Sequence, residues 1–464
     1  MILKKIYISI LQLFSFVAFF SYKTIALNAQ TNIDQENLKK YWTYRARFLG
    51  HDGEGGFIKL GLEKGMSIPA SGRNFDLDCQ YFWLMSYAKC TEKPGKKGLM
   101  TWGDGTYYLG YYLLNLSLEY ANLKRAKQNT DFIIEEIFYA LKAFERLDYE
   151  AELALGLEKG VLNGFFLRDD VPQDFFEKYP AMNIKEKMFY GCVHSDYSCH
   201  KVHVVNSGAY VSQDQIIALM LGFAGVVQFV EDASYEVNGD LISLKELAEL
   251  YTHRMVDYLI TCKWKIKAPN GEKIGDRWGG NVLAFNYNIA KSAHRICQGR
   301  FQPTYQTGMS KFTGRAAKGS FNWGWALQAK HNKAMIYVLT ILSKEWNIEK
   351  IEKRAMESDQ PIYALMYAVL NNETLTQKDA KIFWENFFAT APTDGPCHNS
   401  PNCDAPLGWR SFDRWWHAEQ KDGNTYGLPF EFSGLDYMLA YNLFHYYFAS
   451  DLPIYKTILP FPKN

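Results

Sequence analysis

Segments with the spacing of helices recur along the chain, and they are of two kinds. The stretch from Thr106 to Tyr120 is apolar on nearly every face, whereas Asp131 to Leu147 has apolar residues near helical spacing with charges between them. A helix that is apolar all round must be buried, but an amphipathic helix can expose one side to water. The pattern therefore predicts an inner helix followed by an outer helix.

The same alternation continues through the rest of the chain. Further helices are predicted at Val211 to Val230, Leu244 to Leu259, Trp323 to Leu342, Ala380 to Phe388 and Gly434 to Phe448, of which the second is amphipathic and the fourth is mixed. No strand-rich domain is evident. Inner helices that alternate with outer helices along one chain indicate an all-α fold, the (α/α) toroid of helical hairpins. We predict one such domain over residues 30–464.

The first residues have the pattern of an export signal. Two lysines precede an apolar stretch from Ile6 to Phe20, and small and polar residues follow through Ala29. This order is typical of a secretory signal peptide, which we predict over residues 1–29. The apolar stretch is too short to span a bilayer comfortably, and no later segment is long and uncharged enough. We therefore expect a secreted or periplasmic protein without an integral membrane segment.

Composition narrows the possible partners. Charged residues make up 22% of the chain and balance to a formal net charge of +1, so there is no basic face of the kind that binds nucleic acid. Aromatic residues make up 16%, including 12 Trp and 31 Tyr. Most such rings fill a core, but aromatic rings also stack on the flat apolar faces of sugars and lose little entropy on contact.

An exported protein can form disulfides, and six of the eight cysteines lie in closely spaced pairs. Three closely spaced pairs are Cys79 with Cys90, Cys192 with Cys199, and Cys397 with Cys403, which leaves Cys262 and Cys297. The gap between Cys192 and Cys199 suits a loop staple better than the Cys-x-x-Cys knuckle that zinc usually requires. We predict bridges at Cys192–Cys199 and Cys397–Cys403.

In a toroid, the loops that lead into inner helices converge on one mouth, so the residues just before each buried helix should share a cavity. Polar and aromatic side chains near these positions are the candidate site residues. They are Trp102, Asp104, Arg168, Asp169, His203, Tyr210, Asp214, Trp323, Lys330, His331, Asn332, Arg410, Arg414 and Trp415.

Several of these candidates also have a purely structural interpretation. Asp104 and Asp214 could accept free backbone N–H groups at helix starts. Asp169 could belong to a solvated turn, and His331, inside an apolar helix, could be a hydrogen-bonded core residue. Trp415 could pack in the interior, although adjacent tryptophans in a charged loop more often form a binding wall.

A metal site is a further alternative. His200 and His203 stand three positions apart, which on a helical turn would suit a metal ion. The residues around them look extended, however, and in a strand the two side chains would point to opposite faces. We therefore expect no cofactor and prefer an active-site wall that presents histidines toward the mouth.

The chain after the signal peptide resembles the secreted (α/α) toroid enzymes of polysaccharide-degrading bacteria. These are the toroid polysaccharide lyases, the unsaturated uronyl hydrolases and the ulvan oligosaccharide dehydratase. The resemblance rests on the export signal, the helix alternation, and the aromatic segments TWGDGTYYLGYYL, NGFFLRDD and SGLDYMLAYNLFHYYF. It implies an acidic oligosaccharide as substrate and two possible chemistries.

The first chemistry is β-elimination from a uronic acid, by a dehydratase or a lyase. It needs a base for the proton beside the carboxylate, cationic or amide groups that hold the resulting enolate, and an acid for the leaving oxygen. Toroid lyases commonly build this set from Tyr, His, Asn and Arg. Residues of these types near the expected mouth are His203, Tyr210, His331, Asn332, Arg410 and Arg414.

Two other functions remain open at this point. Hydrolysis of a glycoside or a vinyl ether needs carboxylates across the bond, for which Asp169 and Asp214 are candidates. A secreted sugar-binding protein would also use tryptophans, but simple binding does not require so many acids, bases and cations at one mouth. We therefore rank elimination first, hydrolysis second and binding third.

Overall fold

The fold is given by a computed structural model. It describes residues 35–42, 45, 105–167, 210–230, 232–271, 286–297, 369, 388, 391 and 435–448, together with the backbone of short strands elsewhere. The elements with defined bounds are β1 (Ser71–Phe75), β2 (Cys79–Trp83), β3 (Tyr87–Lys89), β4 (Leu99–Thr101), α1 (Gly105–Arg125), α2 (Asp131–Ala154), α3 (Gln213–Phe229), β5 (Ser234–Val237), β6 (Asp240–Ser243), α4 (Leu244–Thr261), α5 (Asn286–Ile296), β7 (Cys397–His398), β8 (Phe430–Glu431) and α6 (Leu435–Phe448).

The described part of the chain is mostly helical, as the sequence predicts. The helices expected at Thr106 to Tyr120, Val211 to Val230 and Gly434 to Phe448 correspond to α1, α3 and α6, and their described apolar side chains are almost all buried. Those expected at Asp131 to Leu147 and Leu244 to Leu259 correspond to α2 and α4, which expose one side. The inner and outer assignments are therefore confirmed for these five helices.

Helices α1 and α3 form the closest pair in the interior, and they run in the same direction. Gly110 of α1 lies against the Ala218 carbonyl of α3, and further along both helices Leu114 lies against Gly225. A Cβ at position 110 would overlap the Ala218 carbonyl oxygen, so glycine is required for this approach. Helix α6 packs on the other side of α1, where the Asn122 side-chain amide donates to the Asn442 carbonyl at 3.1 Å.

Helices α2 and α4 form an outer layer over α1 and α3. A short connection at 126–130 reverses the chain between α1 and α2. Outer helices α2 and α4 run parallel to each other, because Tyr251 bonds to Glu145 at 2.6 Å and Arg254 bonds to Asp148 at 3.3 Å. Helix α4 is capped at its start by Ser243, whose hydroxyl accepts the Glu246 backbone N–H.

The N-terminal helical segment 35–42 packs against α6, near the other end of the sequence. The Tyr437 hydroxyl donates to the Asn37 carbonyl at 3.0 Å, and the Asn442 amide donates to the Tyr41 hydroxyl at 2.8 Å. The Tyr41 and Tyr441 rings are 4.9 Å apart. These contacts join residues about four hundred positions apart in the sequence.

A buried ion cluster fastens this N-terminal region to α1 and α2. The Arg45 guanidinium bonds to Glu119 of α1 at 3.0 Å and to Glu136 of α2 at 2.7 Å. The Tyr41 hydroxyl donates to Glu119, and the Tyr112 hydroxyl donates to Glu136. Burial raises the pKa of Glu119 despite the neighbouring guanidinium. The cluster is therefore a closed network in which each charge depends on its partners.

The structure also has short strands, and these were not predicted from the sequence. Strands β1 and β2 pair with each other, β5 pairs with β6, and a four-stranded sheet has the order β4-β3-β8-β7. In the β5–β6 hairpin, Asn238 and Gly239 both have positive φ, at 54° and 90°. Asn-Gly suits such a turn because both residue types tolerate this conformation. The predicted all-α class is therefore correct for most of the described residues, but it does not account for these strands.

Several predictions concern residues outside this description. The helix predicted from Trp323 to Leu342 lies outside the described residues, and of the one predicted from Ala380 to Phe388 only the buried, helical Phe388 is described. Cys262 and Cys297, the two cysteines left over from the predicted pairs, form no disulfide, and the Cys297 thiol donates to the Glu249 carbonyl at 3.4 Å. The cysteines of the two predicted bridges fall outside the described residues, except for the backbone of Cys397 in β7.

Candidate functional site

The starts of the inner helices α1 and α3 lie side by side at one end of the helical layer. The Thr106 hydroxyl of α1 donates to the side-chain oxygen of Gln215 in α3, and both residues are fully buried. Because the two helices are parallel, the chain segments that precede both of them approach this same end. We call it the inlet end, defined by Thr106, Gln215 and Tyr210. It is the end where the sequence predicts a shared mouth.

The four-stranded sheet joins the inlet segment of α1 to the segment that precedes α6. Strand β4 ends at Thr101, shortly before α1 begins, and β8 ends at Glu431, shortly before α6 begins. Strand β3 pairs with both, since Ala88 is opposite Met100 and also opposite Glu431. Strand β7 extends the sheet, with Cys397 opposite Glu431. The backbone thus brings three widely separated parts of the sequence together.

Tyr210 is the one candidate side chain that the structure describes. It stands shortly before α3, is 3% exposed, and its ring stacks on Phe165 with centroids 5.4 Å apart. Its backbone forms an antiparallel bridge with Leu167, and the next residue, Val211, donates its N–H to the Phe166 carbonyl at 3.0 Å. The described stretch that ends at Leu167 therefore lies beside the start of α3.

The turn before this bridge is held by two carboxylates of α2. Asp148 accepts the backbone N–H groups of Gly164 at 2.7 Å and Asn163 at 3.2 Å. One helical turn later, Glu152 accepts the Val161 N–H at 3.1 Å and the Asn163 side-chain amide. These bonds satisfy four donors of a partly buried turn, so they fix where the chain continues toward Leu167.

Burial sets the protonation of these two carboxyl groups. It raises the pKa of Asp148 to about 7, although the Gly164 N–H and the Arg254 guanidinium both favour the charged form. Burial likewise raises the pKa of Glu152, against the hydrogen bonds from Asn163 and Val161. Arg254 is the charged partner that bonds to Asp148, at 3.3 Å. Asp148 consequently changes charge near neutral pH.

The free energy of unfolding is expected to fall as the pH rises from about 4 to about 7. Asp148 binds its proton more tightly in the folded chain, so its contribution is full below the pKa of an unfolded Asp and is lost as the pH rises through the folded pKa. Urea unfolding at a series of pH values should give a flatter dependence for Asp148→Asn than for the parent chain. Equal slopes in both proteins would contradict this assignment.

The other predicted site residues have little or no description. The backbone of Asp214 lies in the first turn of α3, at the inlet end. Outside the described residues lie Trp102, Asp104, Arg168, Asp169, His203, Trp323, Lys330, His331, Asn332, Arg410, Arg414 and Trp415. Their assignment to one mouth stays a prediction.

Sequence reasoning missed Asp148 and Glu152, although a signal for them was present. Asp148 stands four positions after the buried Phe144, three before the buried Ala151, and beside the buried Leu147. A carboxylate in that register lies on the buried face of an amphipathic helix and needs partners there. The turn that supplies those partners, NGFF, was itself singled out from the sequence.

One histidine at the opposite end of α1, beside Arg125, does not suit proton transfer. His445 of α6 is fully buried, and burial, aided by the Arg125 charge, lowers its pKa to about 3. It is therefore neutral at physiological pH and acts as part of the core, with its ring centroid 4.2 Å from that of Tyr441. His445 is not one of the active-site histidines expected from the sequence, which are His203 and His331.

Two further properties limit what the described residues can do. Within residues 105–167 and the other described ranges, no three His, Cys, Asp or Glu side chains are grouped so as to hold a metal ion. None of the helices in the part of the chain that the structure describes is both long and apolar enough to cross a bilayer.

Comparison with protein-family models, with curated proteins and with solved structures gives no match for this chain.

Proposed function

We propose that this chain is a secreted enzyme of (α/α) toroid fold that acts by β-elimination on acidic oligosaccharides containing uronic acid, such as fragments of ulvan. The main support for this proposal is the meeting of several chain segments at the inlet end. There the segments that precede α1 and α3 meet through Thr106 and Gln215, and the sheet connects the segment that precedes α6. In the sequence, Trp102, Asp104, His203 and Tyr210 stand before α1 or α3, and Arg410, Arg414 and Trp415 stand between β7 and β8.

The toroid itself is part of the proposal. Inner helices α6, α1 and α3 lie in a row, with α2 and α4 outside them. Helical segment 35–42 bonds to α6, so early and late parts of the sequence lie together. Both arrangements are what a ring of helical hairpins requires.

In this proposal the chemistry is divided among residues of the mouth. His331 or His203 would take the proton beside the uronate carboxylate, and Tyr210 or the second histidine would protonate the leaving oxygen. Asn332 with Arg410 or Arg414 would hold the carboxylate as negative charge develops, since an arginine fork matches a planar anion. Stacked tryptophans, Trp102, Trp323 and Trp415, would bind the sugar faces, with Asp104, Arg168 and Lys330 as polar contacts.

Hydrolysis by carboxylates is the second candidate function. Asp214 lies in the first turn of α3 at the inlet end, where the free N–H groups of the helix favour a charged carboxylate. A charged Asp214 opposite Asp169 would suit hydrolysis of a glycoside or an unsaturated uronyl group.

One assay distinguishes these functions. The purified protein is incubated with a panel of acidic oligosaccharides while ultraviolet absorbance of the conjugated double bond and product masses are followed. Rising absorbance with loss of water at constant chain length indicates a dehydratase, and rising absorbance with shortening indicates a lyase. Loss of absorbance from an unsaturated substrate indicates a uronyl hydrolase. Binding without any product would leave the sugar-binding alternative.

His331→Ala is expected to lower turnover by at least about a hundredfold while the protein stays folded, the usual order for loss of an acid or base. Steady-state rates and thermal unfolding are measured together. His253→Ala is the matched control, because His253 is 47% exposed on α4 and pairs with Asp257.

Asp169→Asn should lose less activity than His331→Ala. If instead Asp169→Asn or Asp214→Asn abolishes turnover and His331→Ala retains it, hydrolysis by carboxylates replaces elimination.

A further inference from the structure

Asp148 is connected to Tyr210 through a short run of described contacts. The carboxylate accepts the N–H groups of Asn163 and Gly164, and the following residue, Phe165, stacks on the Tyr210 ring. Two residues later, the Leu167 N–H bonds to the Leu147 carbonyl at 3.1 Å while Leu167 pairs with Tyr210. A displacement of the turn would therefore be passed to Tyr210.

The turn has little freedom to compensate for such a displacement. Gly164 has φ of +86°, and a Cβ there would overlap the Arg254 carbonyl of α4, so the backbone is pressed directly on that helix. Phe166 packs edge-on against Phe144 at 5.3 Å, and Phe165 also contacts Tyr258. Because aromatic rings are packed on both sides of the turn, local rearrangement cannot absorb a change in its bonds to Asp148.

We propose that Asp148 is a positioning residue for Tyr210: its carboxylate fixes the turn at Asn163–Gly164, and that turn places Phe165 and Leu167 against Tyr210 at the inlet end. The catalytic meaning of this role rests on the proposed function, but the positioning itself does not. The Asp148 carboxyl oxygens accept both backbone N–H groups of the turn as well as the Arg254 guanidinium, so one side chain ties the turn to α2 and α4.

Several other ionisable groups lie near Asp148 and would influence its titration. Arg254 and Tyr251 face it from α4, and Glu145 and Glu152 lie one turn before and after it on α2. Tyr251 bonds to Glu145, and Lys142 pairs with that same carboxylate, so Glu145 is occupied on the side away from the turn.

Amide hydrogen exchange followed by mass spectrometry tests this role without requiring any activity. In Asp148→Asn, exchange should rise at least about tenfold both in 161–167 and in 210–212, which corresponds to about 1.4 kcal/mol of lost protection. Glu145→Gln is the matched control on the same helix, and it should leave both stretches as they are. The parent chain provides a second test that needs no variant. After correction for intrinsic exchange rates, both stretches should gain protection together as the pH falls through the Asp148 pKa of about 7, because the folded state binds this proton more tightly than the open state does.

Increased exchange in 161–167 with no change in 210–212 would overturn the positioning role, as would a uniform increase along α2 and α4. If the oligosaccharide panel gives turnover, Asp148→Asn should lower kcat more than it raises KM and should remove a limb of the pH profile. If the panel gives none while exchange responds as expected, the proposed function fails and the positioning role stands.

Discussion

Arg45→Met is expected to lower the free energy of unfolding by about 3–5 kcal/mol, the usual cost of removing one partner from a buried ion cluster. Arg45 is 1% exposed and is the cation that bonds to both Glu119 and Glu136. Without it, two carboxylates would face each other in the interior, where neither can be solvated. The chain would have to bind protons or open the interface between α1 and α2.

Denaturant unfolding of a small set of variants measures this effect. Adding Glu119→Gln and Glu136→Gln to Arg45→Met should recover part of the loss, because the triple variant no longer leaves uncompensated charges buried. Asp232→Asn serves as the control, since its pair with Lys124 is largely exposed and should contribute no more than about 1 kcal/mol. A cost of Arg45→Met no larger than that of Asp232→Asn would show that the cluster does not hold this region.

Gly110→Ala is expected to destabilise the fold by about 1–3 kcal/mol or more, the usual range for overpacking of a tight interior. The added methyl group would overlap the backbone carbonyl of Ala218, which cannot rotate away, so α1 and α3 would have to separate. This cost should outweigh the gain of about 1 kcal/mol that alanine brings to a helix interior.

Gly225→Ala is the matched control for this substitution. Its Cβ would meet mainly the Leu114 side chain, whose nearest methyl group lies 2.7 Å away and can move. Helix propensity should then offset most of the strain, and the midpoint of urea unfolding should change little. If both variants lose equal stability, backbone approach is not what limits this interface.

Hydrophobic periodicity predicted the helices well because burial decides their faces. It placed α1, α3 and α6 inside and α2 and α4 outside, and the structure confirms each of them. It missed α5, although its buried residues Ile289, Ala293 and Ile296 stand four and three positions apart among polar ones. The helical period was therefore present in this eleven-residue segment and was overlooked.

The β5–β6 hairpin was missed for a different reason. Its Val-Asn-Gly-Asp turn is a strong local signal for a hairpin, and the positive φ of Asn238 and Gly239 agrees with it. The segment lies directly between two helices, and an assignment based on helical period does not detect strands. Local turn chemistry would have identified it.

Of the mouth predicted from the sequence, the described residues contain one convergence, between Tyr210 and the stretch that ends at Leu167. The convergence of Tyr210 with the Asn163 turn follows from which helices are adjacent and parallel. The buried carboxylates were not predicted, because a helical pattern does not say what lies opposite a polar residue such as Glu136 or Asp148. Their partners come from distant parts of the sequence, and only the fold supplies them.

The contacts between segment 35–42 and α6 have a kinetic consequence. Tyr41 and Asn442 are bonded across 401 positions of sequence, and Tyr437 and Asn37 across 400. Closing so long a loop carries an entropy cost before any contact repays it, and high contact order slows folding. The polar interior around Tyr41 and Asn442 can assemble only after α6 has left the ribosome. Until then the emerging chain lacks this buried network, and the region around Tyr41 cannot complete its folding.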